Sequence, residues 1–319
     1  MTSLRGIFWR ELFRYQIAHA PPSNSIAQMR QNLDRLGQRL KPPKTVGIER
    51  TWVEGLQSDW LTPAAASDGT VADARLLYLH GGGYICGSFA SHRGLVGNLA
   101  QACGVRTLMP EYRLAPEYPF PAALEDSLRV YRHLLADGVA PHRLVLGGES
   151  AGGGLAIATL LALKDEGLPL PAAAFVLSPW TDLAATGESL HTRARQDPWF
   201  EPEGVAVAAA FYVGDESNTN PLISPLYGDL AGLPPLLIHV GDYEILRDDS
   251  TRLAAKARAA GVDVTLRVWE GMWHVFQSLA GRVPEAKESV DEVGAWVQSR
   301  LVAAEGRVNG QAQGQAQVE

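Results

Sequence analysis

Apolar residues run along this chain in two rhythms, and the change between them marks its organisation. Leu4, Ile7, Phe8, Leu12 and Tyr15 recur at helical spacing, and Ile26, Met29, Leu33, Leu36 and Leu40 repeat the pattern beyond the breaker Pro21-Pro22. Two amphipathic helices packed on a neighbouring surface are expected; the aromatics and arginines of the first also suit a helix lying on a membrane surface. From about residue 46 the rhythm becomes short apolar runs, which predict strands at 47–54, 75–80, 105–109, 143–147, 173–178, 235–240 and 263–269. Helical patterns fall between them near 92–102, 121–136, 151–166, 247–260 and 284–303. Continuous apolar strands alternating with helices predict an α/β fold, a mostly parallel sheet covered on both faces. Residues 183–234 separate two strands by far more than one crossover helix needs, so an inserted helix near 202–213 and a surrounding lid are expected there. The segment after residue 305 (GRVNGQAQGQAQVE) has no apolar pattern and is expected to be disordered.

Two glycine clusters sit where strands end. Residues 143–147 feed Gly148-Glu149-Ser150-Ala151-Gly152, and a helical pattern follows at once. This is G-x-S-x-G in a strand–turn–helix context, which projects a serine from a tight turn. Gly148 and Gly152 would relieve clashes that side chains cause beside such a turn. Ser150 would stand at a helix N-terminus, where free N–H groups favour developing negative charge. A phosphate loop needs Gly-Lys-Ser/Thr and a dinucleotide fingerprint needs G-x-G-x-x-G; neither is present here. The second cluster, HGGGY at 80–84, follows a predicted strand. Its glycines let backbone N–H groups face a cavity, and acyl transfer needs such donors about 3 Å from a carbonyl oxygen that becomes an oxyanion. Gly82 and Gly83, with the N–H of Ala151, are the expected donors.

A serine of ordinary acidity needs a base, and the base needs an acid to orient it. Of eight histidines, His274 lies in EGMWHVF just past the last predicted strand, where a parallel sheet gathers its functional groups. His239 falls inside an apolar strand and reads as a core residue. His80 is placed to brace the glycine loop. His19, His92, His133, His142 and His191 occupy helical or lid contexts with no acid signal beside them. The acid should follow the penultimate strand, where GDYEILRDDS offers Asp242, Glu244, Asp248 and Asp249. Asp242 could cap the next helix, Asp248 and Asp249 suit its first turn, and Glu244 reaches from the loop. Order along the chain does not choose among them.

Charge and composition narrow the partners. Asp and Glu outnumber Lys and Arg, 35 to 28, and no basic stripe appears, which argues against nucleic acid. The two cysteines, Cys86 and Cys103, form no disulfide framework or metal motif. Charged residues interrupt the N-terminal segment and no run of about 18 apolar residues exists. No metal, no stable membrane insertion and a cytoplasmic location are the expectations. Cys86 reads as a packing residue rather than a second nucleophile. Tyr84, Trp180, Trp199 and Trp273 are candidates to line a substrate pocket, although tryptophans are more often ordinary core.

Together HGGGY (80–84), PEYRLAPEYPFPAALED (110–126), GGESAGG (147–153) and DLAGLPPLLI (229–238), with the acid and histidine loops, resemble the hormone-sensitive-lipase-like carboxylesterases of the α/β-hydrolase superfamily. The resemblance spans roughly residues 70–280. It implies an eight-stranded sheet and a helical cap built from N-terminal helices (1–45) and an insertion (183–225). The core is then 46–182 and 226–305, followed by the disordered tail at 306–319. It also implies hydrolysis of short- to medium-chain acyl esters through an acyl-enzyme, without a cofactor, in the chain order Ser150, Glu244, His274. Many relatives carry Asp or Thr where this chain has Glu149. Aligning their Asp-Pro-Leu-Arg-Asp pattern on Leu246-Arg247-Asp248 puts Glu244 at the catalytic aspartate position. The same machinery would serve an amidase, a deacetylase, a lactonase or an acyltransferase. A receptor reading of the pocket, known among plant relatives, goes with loss of the histidine, which this chain keeps. The last strand leaves a sheet edge through which a homodimer could form.

Overall fold

The computed structural model describes residues 2–19, 23, 25–64 and 73–316. Two helices come first, α1 (Leu4–Ala18) and α2 (Ile26–Gly37), and the breaker Pro21-Pro22 between them lies outside the described residues. The chain continues through β1 (Val46–Val53), β2 (Leu56–Pro63), β3 (Arg75–Leu79), α3 (Phe89–Cys103), β4 (Arg106–Pro110), α4 (Ala122–Ala136), β5 (Leu144–Glu149), α5 (Ala151–Asp165) and β6 (Ala173–Leu177). After these come α6 (Ser189–Thr192), α7 (Pro202–Val213), β7 (Leu236–Gly241), α8 (Arg247–Ala259), β8 (Val264–Trp269) and α9 (Pro284–Ala316).

The eight strands form one sheet in the order β1-β2-β4-β3-β5-β6-β7-β8. The pairs β1·β2 and β2·β4 are antiparallel, and every later pair is parallel. Alternation along the strands explains why their apolar runs are continuous. Leu77 and Leu79 of β3 face a core that includes Leu155 and Ile157 of α5, while Leu76 and Tyr78 face another that includes Leu95 of α3 and Val297 of α9. Both faces are thus buried, as a parallel sheet requires.

Two differences from expectation have local causes. The strand β2 was not expected, because its sequence LQSDWLTP buries polar Ser58 and Asp59. Asp59 is tolerated there because Arg50 and Arg93 pair with it, at 3.1 and 2.5 Å. The turn into β2 uses Glu54 and Gly55, both at positive φ (50° and 80°), the requirement of a two-residue hairpin. Residues 306–316, expected to be disordered, continue α9 as helix. Ala and Gln are good helix formers, and a helix already nucleated by packed turns extends with one hydrogen bond per added residue. Residues 317–319 lie outside the described residues.

The inserted helix falls where the pattern put it. The first helix, α1, packs through Phe13 into a cluster with Trp269, Met272, Trp273 and Phe276, and leaves Leu4, Phe8 and Tyr15 exposed. The second, α2, is tied down by Arg30, which donates to the carbonyls of Ile85 and Ala115 at 2.7 and 2.9 Å. Among the described residues, no helix is long and apolar enough to cross a membrane. The strand β8 stands at the sheet edge.

Candidate active site

Backbone geometry builds the site first. Ser150 sits between β5 and α5 at φ 54°, ψ −125°, a conformation that costs a non-glycine residue about 1–3 kcal/mol unless its surroundings impose it. Three hydrogen bonds impose it here. The Ser150 N–H donates to Leu177 O at 2.9 Å, and its carbonyl accepts from Trp180 N at 2.8 Å and Gly154 N at 3.0 Å. The flanking glycines are required by close approach: a Cβ on Gly152 would lie 2.1 Å from Leu79 O, and one on Gly148 would lie 2.3 Å from Gly152 O. No hydrogen bond of Ser150 Oγ to another described residue is formed.

The glycine loop follows β3 and lies against this turn. A Cβ on Gly81 would be 3.0 Å from Ser150 Cβ. Gly82 and Gly83 are at φ 119° and 64°. The carbonyl of Gly82 accepts from the amides of Ile85 and Cys86, at 3.2 and 2.8 Å, which folds the loop back on itself. Meanwhile the amides of Gly82, Gly83 and Ala151 donate to no acceptor among the described residues. The Gly81 amide is different, since it donates to Glu149 Oε1. Glu149 is buried and also meets His92 Nε2 at 2.9 Å. Burial alone would raise its carboxyl, but the His92 charge and hydrogen bonds from His92 and Gly81 outweigh that and hold it below the usual range. The residue before the serine therefore ties the turn to the glycine loop. His80 braces the same loop, with Nδ1 2.8 Å from Gly81 O and its ring stacked on Tyr112 at 4.3 Å. Burial, then the neighbouring His92, pushes the His80 imidazole down to about 4.

On the other side of the turn, His274 Nδ1 lies 2.8 Å from Glu244 Oε2. Glu244 is fully buried, and its Oε1 accepts from Ser178 Oγ at 2.8 Å and from the Gly241 amide at 2.5 Å. The other three carboxylates of that stretch point elsewhere. Asp242 faces Arg193 and Arg247 at 3.3 and 3.7 Å, Asp248 accepts from the Ser189 amide, and Asp249 accepts from the amides of Thr181 and Asp182. His274 Nε2 is buried and has no partner among the described residues, so no hydrogen bond joins it to Ser150 Oγ. Such bonds often tighten only with substrate in place. The link between the two halves of the site runs through 177–180: Leu177 and Trp180 hold Ser150, while Ser178 Oγ donates to Glu244 and accepts from the Val275 amide at 3.2 Å.

The candidate pocket aromatics separate into two groups. Tyr84 stacks on Tyr212 of α7 at 3.6 Å and has Trp180 at 6.0 Å. Trp199 and Trp273 instead pack on Phe13 of α1, at 4.9 and 6.0 Å. Sequence reasoning missed Ser178, which sits at φ 47° directly after β6, and Asp197 of the insertion, which is buried beside the acid loop. A Ser-Pro step at the end of a parallel strand was the available signal for the first. Asp197-Pro198, inside a segment read only as a lid, was the signal for the second.

Two candidates are packing residues. Burial pushes the Cys86 thiol up to about 11. His239 is buried in β7 with Nδ1 2.8 Å from Ser289 Oγ, and burial, then the Arg267 charge, pushes its imidazole from 6.5 down to about 3. A depressed imidazole means the unfolded chain takes up the proton first, so this stabilisation is complete above about pH 6.5 and is lost as pH falls towards 3. Lowering the pH from about 7 to 4 should therefore lower the thermal midpoint, and His239→Gln should flatten that slope. Equal slopes in calorimetry would contradict the assignment.

A family model described as alpha/beta hydrolase fold matches residues 76–278. An acetyl-hydrolase of Streptomyces hygroscopicus is 44% identical over 242 residues, which cover 76% of this chain and 79% of that protein. An esterase of Acinetobacter venetianus is 32% identical over 301 residues, covering 92% and 98% of the two chains. A solved structure of an esterase from the bacterial hormone-sensitive lipase family is similar at TM-score 0.89 and 42% identity, covering 94% of this chain and 99% of that one.

Proposed function

Because this chain belongs to the α/β-hydrolase fold family, in its hormone-sensitive-lipase-like branch, and is a carboxylesterase, we propose that Ser150 is its nucleophile, His274 its general base and Glu244 the carboxylate that orients the imidazole. Ser150 Oγ attacks the ester carbonyl while His274 Nε2 takes its proton. The carbonyl oxygen becomes an oxyanion and receives the amides of Gly82, Gly83 and Ala151. His274 then protonates the leaving alcohol, and an acyl group remains on Ser150. Water, deprotonated by the same nitrogen, releases the acid. Glu244 keeps the Nδ1 proton in place throughout and stabilises the imidazolium. The observation that carries this reading is the state of His274. One nitrogen is engaged by a buried carboxylate at 2.8 Å, and the other is buried with no partner among the described residues.

Short- to medium-chain acyl esters are the proposed substrates. Ala208 of α7 and the Tyr84–Tyr212 stack lie beside the glycine loop, with Ala208 3.4 Å from where a Cβ on Gly83 would be. A panel of p-nitrophenyl esters should give a kcat/KM about tenfold lower or more for the dodecanoate than for the acetate or butyrate, because each methylene without a pocket forfeits its transfer energy. Matching anilides and lactones, assayed in parallel, should turn over more slowly than the esters; faster anilide cleavage would replace esterase by amidase.

A further inference from the structure

Asp197 belongs to the insertion between α6 and α7, and it is 8% exposed. Its Oδ1 accepts from the amides of Trp199 and Phe200, at 2.7 and 3.2 Å. Its Oδ2 accepts from the amide of Ile245 at 2.9 Å, the residue next to Glu244. The turn held by Oδ1 delivers two rings to the histidine loop. Phe200 stands edge-on to the His274 imidazole at 4.8 Å, and Trp199 packs on Phe13, which in turn meets Trp273. One buried carboxylate is thus bonded on one side to the loop of the acid and on the other to the segment that covers the imidazole.

We propose that Asp197 is a positioning residue for ester hydrolysis, which seats the His274 imidazole by joining the cap to the Glu244 loop and adds a second negative charge to its surroundings. The inference rests on the reading of His274 as the base. Packing alone does not account for the choice of residue. A buried carboxylate is costly unless its hydrogen bonds and neighbouring charges compensate it; the three amides need an acceptor, which a neutral asparagine oxygen could supply in part, but they do not require a charge. Burial raises the Asp197 carboxyl, and the His274 charge and the amides of Ile245 and Trp199 oppose the rise.

Other charged groups of the neighbouring elements have partners of their own, including Asp249 of α8, which accepts from the Thr181 and Asp182 amides, and Arg14 of α1, which donates to the carbonyl of Gln196. Glu244 holds Nδ1 from the acid loop, and Asp242 on the same loop is set against Arg193 of the insertion and Arg247 of α8. Next to Ser150, Glu149 is paired with His92, and Asp182, after β6, is paired with Arg252 of α8. Removing the Asp197 charge should make the imidazolium less favourable, so the acid limb of the kcat/KM profile should move to lower pH.

The test compares full-length wild type with Asp197→Asn and Asp197→Ala on p-nitrophenyl acetate across pH. Rates are normalised to active sites titrated with an organophosphate. The Asn variant, nearly isosteric, is expected to shift the acid limb downward by about half a unit to one unit. It should also lose about tenfold or more in kcat per active site, with KM less affected, since a misplaced catalytic group can cost about 10²-fold. If Asp197→Ala does not fold, the Asn variant decides. A merely structural role would lower the thermal midpoint or the titrated fraction and leave the limb where it was, and an unmoved limb overturns the proposal. His274→Ala is the control for the underlying reading. If it remained active, the base assignment would fall; if it is inactive while Asp197→Asn behaves as wild type, only the present inference falls.

Discussion

Ser150→Ala should lower kcat on p-nitrophenyl acetate by about 10⁵-fold or more, the scale of loss when a serine nucleophile is removed from a working triad. The fold should hardly notice. Ser150 Oγ bonds to no described residue, and the positive φ is imposed by three backbone bonds that alanine keeps. Alanine also carries the same Cβ, so its strain at φ 54° is the same as serine's. A small residual rate should survive, because on the proposed mechanism the amides of Gly82, Gly83 and Ala151 would still meet the oxyanion when water attacks. Intact-mass measurement after organophosphate treatment should show one adduct on wild type and none on the variant. Turnover above about 1% of wild type, far more than a triad without its nucleophile retains, would remove Ser150 from the mechanism.

The second large effect is expected at the acid. Glu244→Gln should lower kcat by about 10⁴-fold with little change in thermal midpoint, although the two side chains have nearly the same shape. Three donors converge on this carboxylate: Ser178 Oγ and the Gly241 amide on Oε1, and His274 Nδ1 on Oε2. A glutamine must turn its NH₂ toward one of them. If its oxygen serves Ser178 and Gly241, the NH₂ faces Nδ1 and selects the tautomer protonated on Nε2, which cannot act as base. Glu244→Asp keeps the charge but shortens the reach by one methylene, so a loss of about 10²-fold is expected from the displaced imidazole. Asp242→Asn, by contrast, alters an ion pair that is a quarter exposed on its acidic side and should leave kcat within about twofold of wild type. Near-normal kinetics of Glu244→Gln together with a collapse in Asp242→Asn would transfer the role to Asp242.

Much of the site could be read before any coordinates because its requirements are local. A strand that turns sharply into a helix needs small residues on both sides of the exposed serine. The reason shows in the 2.1 and 2.3 Å distances that added carbons at Gly152 and Gly148 would have to backbone oxygens. Three glycines after a strand likewise announce amides turned away from secondary structure. Glu149 was visible only as the variable residue of the motif. Its bond to the Gly81 amide joins residues 68 apart, and no local pattern predicts that pairing. Asp197 was hidden for the same reason, since its partner Ile245 is 48 residues away.

By itself, the sequence determined the alternation of strands and helices, the inserted helix, the serine turn, the glycine loop and the histidine loop. Each of these depends on periodicity or on the conformational demands of a few adjacent residues. Spacing and chain order left four neighbouring carboxylates open and the family resemblance pointed to Glu244; the tertiary structure brings Glu244 to His274, through partners just after β6, on β7 and in the loop beyond β8. It also decided that polar β2 is a strand, because Arg93 from a later helix compensates Asp59, and that a carboxylate from the segment between α6 and α7 bonds to the loop of Glu244. Carboxylates that look alike along a chain differ only once it is settled which are buried and which donors surround them. Packing brings those donors together from distant parts of the chain.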